Sequence, residues 1–554
     1  ILGANVKLAS AVAAIPTPSR AHRATEEVLA WLTQVFDAGC AGRDLRADLA
    51  ELGERLRLLE QTVPLRSNTP RFLAAAFASG IPYHELPGEV FQFGYGSRAT
   101  LLDSTITEQT PQIAVRWARS KPLTSAVLRD AGIPVPAQRP ARTVDEAARA
   151  ARDLGYPVVV KPADLAGGVG VSTWLMTHAE VCDAFRVAQQ ESKRVLVEQH
   201  VEGRDYRLVV FQGEVVWAIE RIPGGVTGDG ASTVAALVER LNQDPRRGDD
   251  QHTPLYRLHL DDEAATFLAR AGIGLDHVPG PGEFVRLRRA ANIARGGMPV
   301  PVLDQVHPDN LLLAVRSAAA LRFDLAGVDL LMPDIRRSWR EGGAVVCEVN
   351  GQPQLGSTTA PHLYEQILRR LVRGTGRIPI AVVVGAPAEW NLAAAVAKRL
   401  KSAGFVVGRA DHEGVSIGRA TVTAGPLEPY AAGRLLAGER GVDAVVLAVA
   451  DTGVLRTGLP FDRCDVLAFA GPVAPVLEVE RGLAPEQLLL VVHRLLCPCC
   501  AGRTLVVAEA DAEARAPFRA LPVELSKAAV ARSRAAEAIA TALIEAGQIG
   551  RAHV

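Results

Sequence analysis

A run of three valines ending in lysine, PVVVKP, followed within ten residues by Gly167, Gly168 and Gly170, limits what this chain can fold into. Consecutive β-branched residues bounded by prolines read as a strand buried on both faces. A lysine at the end of such a strand carries its charge to the sheet margin, where a glycine-rich turn can bring backbone N–H groups close to an anion because no Cβ intervenes. Taken alone, the pattern also fits an ordinary glycine turn between two strands. Lysine is scarce elsewhere: seven of the 61 basic residues are lysine, so arginine serves nearly everywhere that a generic positive charge suffices. Two of the seven, Lys121 and Lys161, fall in this region, and a compact ammonium suits phosphate oxygens better than a planar guanidinium does.

The rest of the chain reads as several domains. At 554 residues it exceeds what one core serves. Helical periodicity (ATEEVLAWLTQVF, DLRADLAELGERLRLLE) and then NTPRFLAAAFASGIPYHEL, read as helix, turn and strand, occupy residues 1–118. Alternating helix and strand signals run over 119–375, from the helix KPLTSAVLRDAG through DEAARAARDLG to PVVVKP. GRIPIAVVVG then opens 377–554, where the helix NLAAAVAKRLKSAG and the runs VDAVVLAV and CDVLAF predict a parallel α/β sheet. The fold class is therefore α/β and α+β, multidomain. Acidic and basic residues balance at 61 each, which names neither nucleic acid nor an anionic membrane as partner, and no apolar run approaches a membrane span. Seven scattered cysteines fit reduced thiols and a cytoplasmic protein, and the opening residues carry no secretory pattern.

Further chemistry lies downstream. RVLVEQHVEGRDYRLVVFQGEVVWAIER reads as strand, connection and two more strands, with Glu198 to Val201 in the connection, where backbone groups suit an adenine edge, and Asp205 placed for ribose hydroxyls. Solvated acids in a plain hairpin are the competing reading for Asp205. In FDLAGVDLLMPD a carboxylate, Asp329, interrupts an apolar strand, which is costly without a partner. In AVVCEVNGQP, Glu348 and Asn350 stand two apart and share a face. These three are hard oxygen donors of the kind magnesium takes beside phosphates. FVRLRRAANIARGGMP clusters Arg288, Arg289, Asn292 and Arg295, suited to a transferred phosphate or a substrate carboxylate. His493, Cys497, Cys499 and Cys500 suggest zinc, but the CPCC spacing is too short for the usual chelate loop, and a strand-edge thiol cluster is the better reading.

With these residues in view, the chain resembles the cyanophycin synthetases within the ATP-grasp superfamily. The resemblance is carried by FQFGYGSRATLLDSTITEQTP, SKPLTSAVLRDAGIPVP, ERIPGGVTGDGASTVAALVERLNQDPRRG, LRRAANIARGG, VHPDN, and AGVDLLMPD with CEVN, and spans nearly the whole chain. It implies an ATP-grasp fold over 119–375, a cyanophycin-synthetase-like domain before it and a Mur-ligase-like domain after it. It also implies that Lys121, Lys161, Gly167, Gly168 and Gly170 bind ATP phosphates, Glu198 and Val201 the adenine, and Asp205 the ribose. Asp329, Glu348 and Asn350 would hold Mg2+, and Arg289, Asn292 and Arg295 would face the transferred phosphate and acyl group. The implied reaction is an ATP-dependent amide ligation through an acyl phosphate, with amino acids or short peptides as substrates and a homo-oligomer as the working form. A polymerase of preformed dipeptides and a nucleotide-binding scaffold are the alternatives.

Two stretches depart from that family. Its loop carries a HGRGV pattern where this chain reads AGGVGV, and its APGLRMH-like stretch is here GQPQLGSTTAPH. The third region departs further. Where the family has a GTNGKTT phosphate loop, this chain reads GAPAEWN, with Pro387 in the loop, Glu389 at the lysine position and Trp390 at the hydroxyl position, and Ala448 stands where an acid is expected. The expectation is a degenerate Mur-like domain that neither binds nor hydrolyses ATP.

Overall fold

The computed structural model describes residues 30, 31, 34, 41, 50, 51 and 54 singly, and then 68–165, 169–249, 253, 255–288, 291, 296–356, 359–385, 391–476, 478–507 and 529–549. The chain forms two compact units, one of residues 58–72 and 103–367, the other of residues 1–57, 73–102 and 368–554.

The first unit is built on two antiparallel sheets. The smaller has the order β1-β4-β2-β3, with β1 Gln138–Ala141, β2 Val158–Pro162, β3 Ser172–Leu175 and β4 Val195–Gln199. Two helices cover one of its faces, α2 (Val144–Leu154) and α3 (His178–Glu191). Local sequence sets where both begin. The Thr143 hydroxyl accepts from the Glu146 N–H, and Thr177 and Glu180 cap each other reciprocally. Val158, Val160, Val195 and Val197 point at these helices and at Phe185. At roughly 1.5–3 kcal/mol for each buried aliphatic side chain, that set decides which face the helices take. The other face is left to side chains that need polar partners.

The larger sheet has the order β7-β6-β5-β8-β9, with β5 Arg204–Phe211, β6 Glu214–Ile222, β7 Met298–Pro301, β8 Leu325–Met332 and β9 Val345–Asn350. Tyr206, Leu208, Val210, Ala218, Val328, Leu330, Val346 and Val349 form its buried face, packed with Leu313, Ala314 and Ala318 of α4 (Pro308–Ala320) and Leu128 of α1 (Lys121–Asp130).

The second unit is a doubly covered α/β sheet, as the apolar runs predict. Its order is β13-β12-β11-β14-β10-β15-β16-β17, the strands being β10 Ile380–Val384, β11 Val407–Asp411, β12 Gly414–Ile417, β13 Ala420–Ala424, β14 Ala444–Val449, β15 Cys464–Phe469, β16 Cys500–Val507 and β17 Ala529–Val530. All pairings from β11 to β17 are parallel, while β12 and β13 add an antiparallel edge. Helices α5 (Leu392–Ser402) and α8 (Arg532–Ile549) cover one face, and α6 (Pro429–Gly438) and α7 (Pro485–Leu496) cover the other. The antiparallel pair Tyr83–Leu86 and Val90–Phe93 belongs to this unit, and the Gln92 amide donates to the Ala437 carbonyl oxygen. Pro387, Glu389 and Trp390 lie outside the described residues, and Ala448 stands in β14.

On α7, His493 is 6% exposed, its ring lies 5.5 Å from that of Phe469, and neither ring nitrogen has a hydrogen-bond partner. Burial, with Arg494 adding to it, lowers its pKa. The native state therefore favours the neutral ring, so the unfolded chain binds the extra proton first. Stability is fully present above the unfolded value of about 6.5 and falls as pH drops below it. His84, held down to about 4 by burial and Arg434, acts in the same sense. The expected result is that His493→Leu flattens the fall in urea midpoint between about pH 7 and pH 5 relative to the parent, which still contains His84. An unchanged slope refutes it.

Candidate active site

Both sheets of the first unit turn a charged face away from their helices. On the smaller sheet, Lys161 lies two residues beyond Val159, the register partner of Glu198, so the two side chains share a face. The Lys161 ammonium donates to Glu198 Oε1 at 2.6 Å, both side chains being 10% exposed. This corrects the expected place of Glu198 in the connection. It lies inside β4, paired with β1 and β2 on either side, and its carboxylate is taken by the lysine. The connection between the sheets starts at His200, whose N–H donates to the Pro157 carbonyl oxygen and whose ring stands edge-on to Trp174 at 4.7 Å. Val201 is in that connection. Gly170 has φ +63°, and a Cβ there would come 3.0 Å from the Pro162 ring, so both conformation and space call for glycine. Gly167 and Gly168 lie outside the described residues.

Lys121 is the first residue of α1, at the positive end of the helix dipole, where a cation is disfavoured. Its ammonium donates to the Leu165 carbonyl oxygen and stands 3.8 Å from Glu348 Oε1. Burial lowers its pKa, and Glu348 opposes the shift. The ammonium is thus held against both the dipole and burial, near the charged residues of both sheets.

The larger sheet gathers the carboxylates by register. Asp329 on β8 lies opposite Glu348 on β9 and opposite Arg207 on β5, while Gly327 lies opposite Asn350. Asp205 is two residues before Arg207 and lies opposite Arg221 on β6. Arg207 grips Asp329 with two bonds, Nε to Oδ1 at 2.7 Å and Nη2 to Oδ2 at 2.9 Å. Arg221 reaches Asp329 Oδ2 at 3.0 Å and donates to Asp205 Oδ1 at 2.5 Å. Burial alone would raise the Asp329 carboxyl, but Arg207 and then Arg221 overcome it and hold the group below the usual carboxylate range. Asp205 is raised instead, by burial and by Asp329, with Arg221 only partly offsetting them. Asn350 keeps a buried side-chain nitrogen without a hydrogen-bond partner.

One irregularity sets this face. Leu330 pairs with Val346 but Asp329 pairs with Glu348, so Cys347 is an extra residue in β9. The bulge lets both Val346 and Val349 join the core although they are three apart, and leaves Glu348 and Asn350 on the charged face. Cys347 sits among Glu198, Lys161, Asp205 and Asp329, and burial, then Glu198, pushes its thiol well above the usual range.

Sequence reasoning passed over Arg207, Arg221 and Cys347. The period-two spacing of Asp205 and Arg207 was the available signal for the first. Arg289, Asn292 and Arg295 lie outside the described residues. Their neighbour Arg288 is 4% exposed and spends its guanidinium on both Asp261 oxygens and the His259 carbonyl oxygen, a structural role. Among the described residues no three His, Cys, Asp or Glu side chains converge as a metal cage. Magnesium beside phosphates needs only one or two carboxylates; Glu348 is 30% exposed, whereas both Asp329 oxygens are held by arginines.

Residues 127–225 match the family model described as D-ala D-ala ligase C-terminus. Over most of its length the chain is cyanophycin synthetase-like. It is 34% identical over 438 residues to the cyanophycin synthetase of Trichormus variabilis, covering 77% of this chain and 48% of that one. It is also 34% identical over 255 residues to the glutathione biosynthesis bifunctional protein of Mannheimia succiniciproducens, covering 45% of this chain and 33% of the relative. A bifunctional glutathione synthetase structure from Pasteurella multocida shares 26% identity over 56% of this chain and 44% of its own, at a TM-score of 0.43. The chain spans about half the length of the cyanophycin synthetases it matches. Among the described residues, no helix is long and apolar enough to cross a membrane.

Proposed function

We propose that the chain is an ATP-dependent carboxylate–amine ligase that forms an amide bond through an acyl phosphate, with amino acids or short peptides as substrates. The observation that carries this reading is that both sheets of one unit present charged faces, Lys161 and Glu198 on one, Asp205, Arg207, Arg221, Asp329, Glu348 and Asn350 on the other, with Lys121 close to Glu348. In this reading Lys121, Lys161 and the Gly167, Gly168 and Gly170 loop neutralise and orient the phosphates, and Glu198 fixes the Lys161 ammonium. Val201 meets the adenine and Asp205 the ribose. Glu348, Asn350 and Asp329 would hold Mg2+, which supplies charge neutralisation at the phosphates when bound. Arg289, Asn292 and Arg295 would face the acyl group and the phosphate in transfer. Such a reaction needs positioning and charge neutralisation more than a covalent nucleophile.

The division at 118 and 376, the degenerate Mur-like character of 377–554 and its silence toward ATP, the homo-oligomer and the cytoplasmic location belong to the same proposal. The test mixes the full chain with ATP, magnesium and a panel of amino acids and dipeptides, and reads ADP release and product mass. A single-amide mass supports the simple ligase, and a ladder of masses the polymerase of dipeptides. No ADP with any substrate leaves the scaffold reading and sinks the ligase.

Lysine identity gives a second test. Lys161→Arg keeps the charge but replaces a point donor with a planar fork in a pocket already filled by Glu198, and should weaken ATP binding by about tenfold or more by calorimetry. Unchanged affinity would remove Lys161 from the phosphate site.

A further inference from the structure

Four of the seven cysteines, Cys464, Cys497, Cys499 and Cys500, fall in the C-terminal sheet and the turn before its strand β16, and the ligase reading gives them no task. Strands β15 and β16 are parallel neighbours, and their register sets Cys464 directly opposite Cys500. Register partners present their side chains to one face, and here Cys464 lies in the core cluster against which Cys500 and Cys497 pack. Neighbouring strands run about 4.8 Å apart. That is inside the window of about 4.4–6.8 Å between Cα atoms that a disulfide accepts, so the spacing permits a bridge. Both are free thiols, Cys464 buried and Cys500 half-buried.

The two sulfurs are not equivalent. Cys464 beside it, with Thr504, Gly502 and Leu467, holds Cys500 down to about 6 against the effect of burial. Cys464 is pushed far up by Cys500 and by burial, so Cys500 is the more readily ionised of the two. Thiols that merely fill space at a strand edge need no such asymmetry. A soft-metal cage is not favoured, since no three ligating side chains converge among the described residues.

We propose that Cys500 and Cys464 form a redox-active dithiol that hydroperoxides convert to a disulfide joining β15 to β16. The Cys500 thiolate attacks the peroxide oxygen: an S–O bond forms, the O–O bond breaks, and the departing alkoxide or hydroxide takes a proton from water, leaving Cys500 as the sulfenic acid. Cys464 sulfur then attacks Cys500 sulfur. The S–S bond forms, the S–O bond breaks, and hydroxide leaves with the Cys464 proton as water. Two electrons pass from the dithiol to the peroxide, and a dithiol reductant reverses the change.

The full-length protein is treated with hydrogen peroxide, blocked with an alkylating agent and mapped by mass spectrometry without reduction. The expected result is a linked pair of peptides carrying Cys464 and Cys500, a mass loss of about 2 Da that dithiothreitol reverses, and a higher melting temperature for the oxidised form, because the bridge closes the intervening loop. In Cys464→Ala the linked pair vanishes and dimedone labels Cys500. Cys500→Ser, a second and milder change, should abolish both signals. Recovery of Cys464 and Cys500 as alkylated free thiols after peroxide, or linkage of Cys500 to Cys497 or Cys499 instead, overturns the proposal.

Discussion

Glu348→Gln is expected to lower ATP-dependent amide formation by at least about a hundredfold, the scale on which removing one preorganised charged group costs a transferred-phosphate reaction. The substitution keeps volume and shape and removes one negative charge. Glu348 is 30% exposed, and its one ion contact among the described residues, Lys121 at 3.8 Å, is long. Stability should therefore stay within about 0.5 kcal/mol of the parent. The loss then belongs to the chemistry rather than to the fold. Initial rates of ADP formation, read beside a urea melt, separate the two. Near-parental rates would dismiss Glu348 as a ligand or an electrostatic partner, and a collapsed melt would assign it a structural role instead.

The largest stability effect should come from Asp329→Ala. Asp329 is 5% exposed and is the shared partner of Arg207 and Arg221, whose side chains are 17% and 20% exposed. Removing it leaves two guanidinium groups side by side in a partly dry site where, among the described residues, Asp205 is the carboxylate still bonded to one of them. Breaking a buried pair by deleting one partner costs about 3–5 kcal/mol, and the residual exposure of the arginines points to the lower end, about 3 kcal/mol. Asp329→Ala with Arg207→Met should recover part of that loss, because the second change removes one of the uncompensated charges. Activity should be lost in both variants. A single variant as stable as the parent would mean that water or Asp205 already satisfies the arginines.

How far the sequence reached depends on the range of the interactions involved. The strand PVVVKP, the helix at KPLTSAVLRDAG and the parallel sheet after residue 377 were legible because each follows from local periodicity and from burial on one or both faces. The cap residues Thr143 and Thr177 act within three positions and are local in the same way. Asp329, Glu348 and Asn350 stood out because an acid within an apolar strand has no comfortable local explanation.

What depended on register was hidden. Plain alternation places Val346 on the same face as Glu348, and only the extra residue Cys347, visible once β9 is paired with β8, sends Val346 and Val349 to the core and Glu348 to the charged face. Glu198 read as a connection residue because nothing local reveals that β4 extends to Gln199 between two partners, or that Lys161 will occupy its carboxylate. The partners of Arg207 and Arg221 emerge only when three strands are laid side by side. The chain by itself determined which segments become strands and helices and which residues carry charge into them, since those are properties of neighbours in sequence. The tertiary structure decided which charges meet, because partners such as Arg207 and Asp329, 122 positions apart, are brought together only by the pairing of strands.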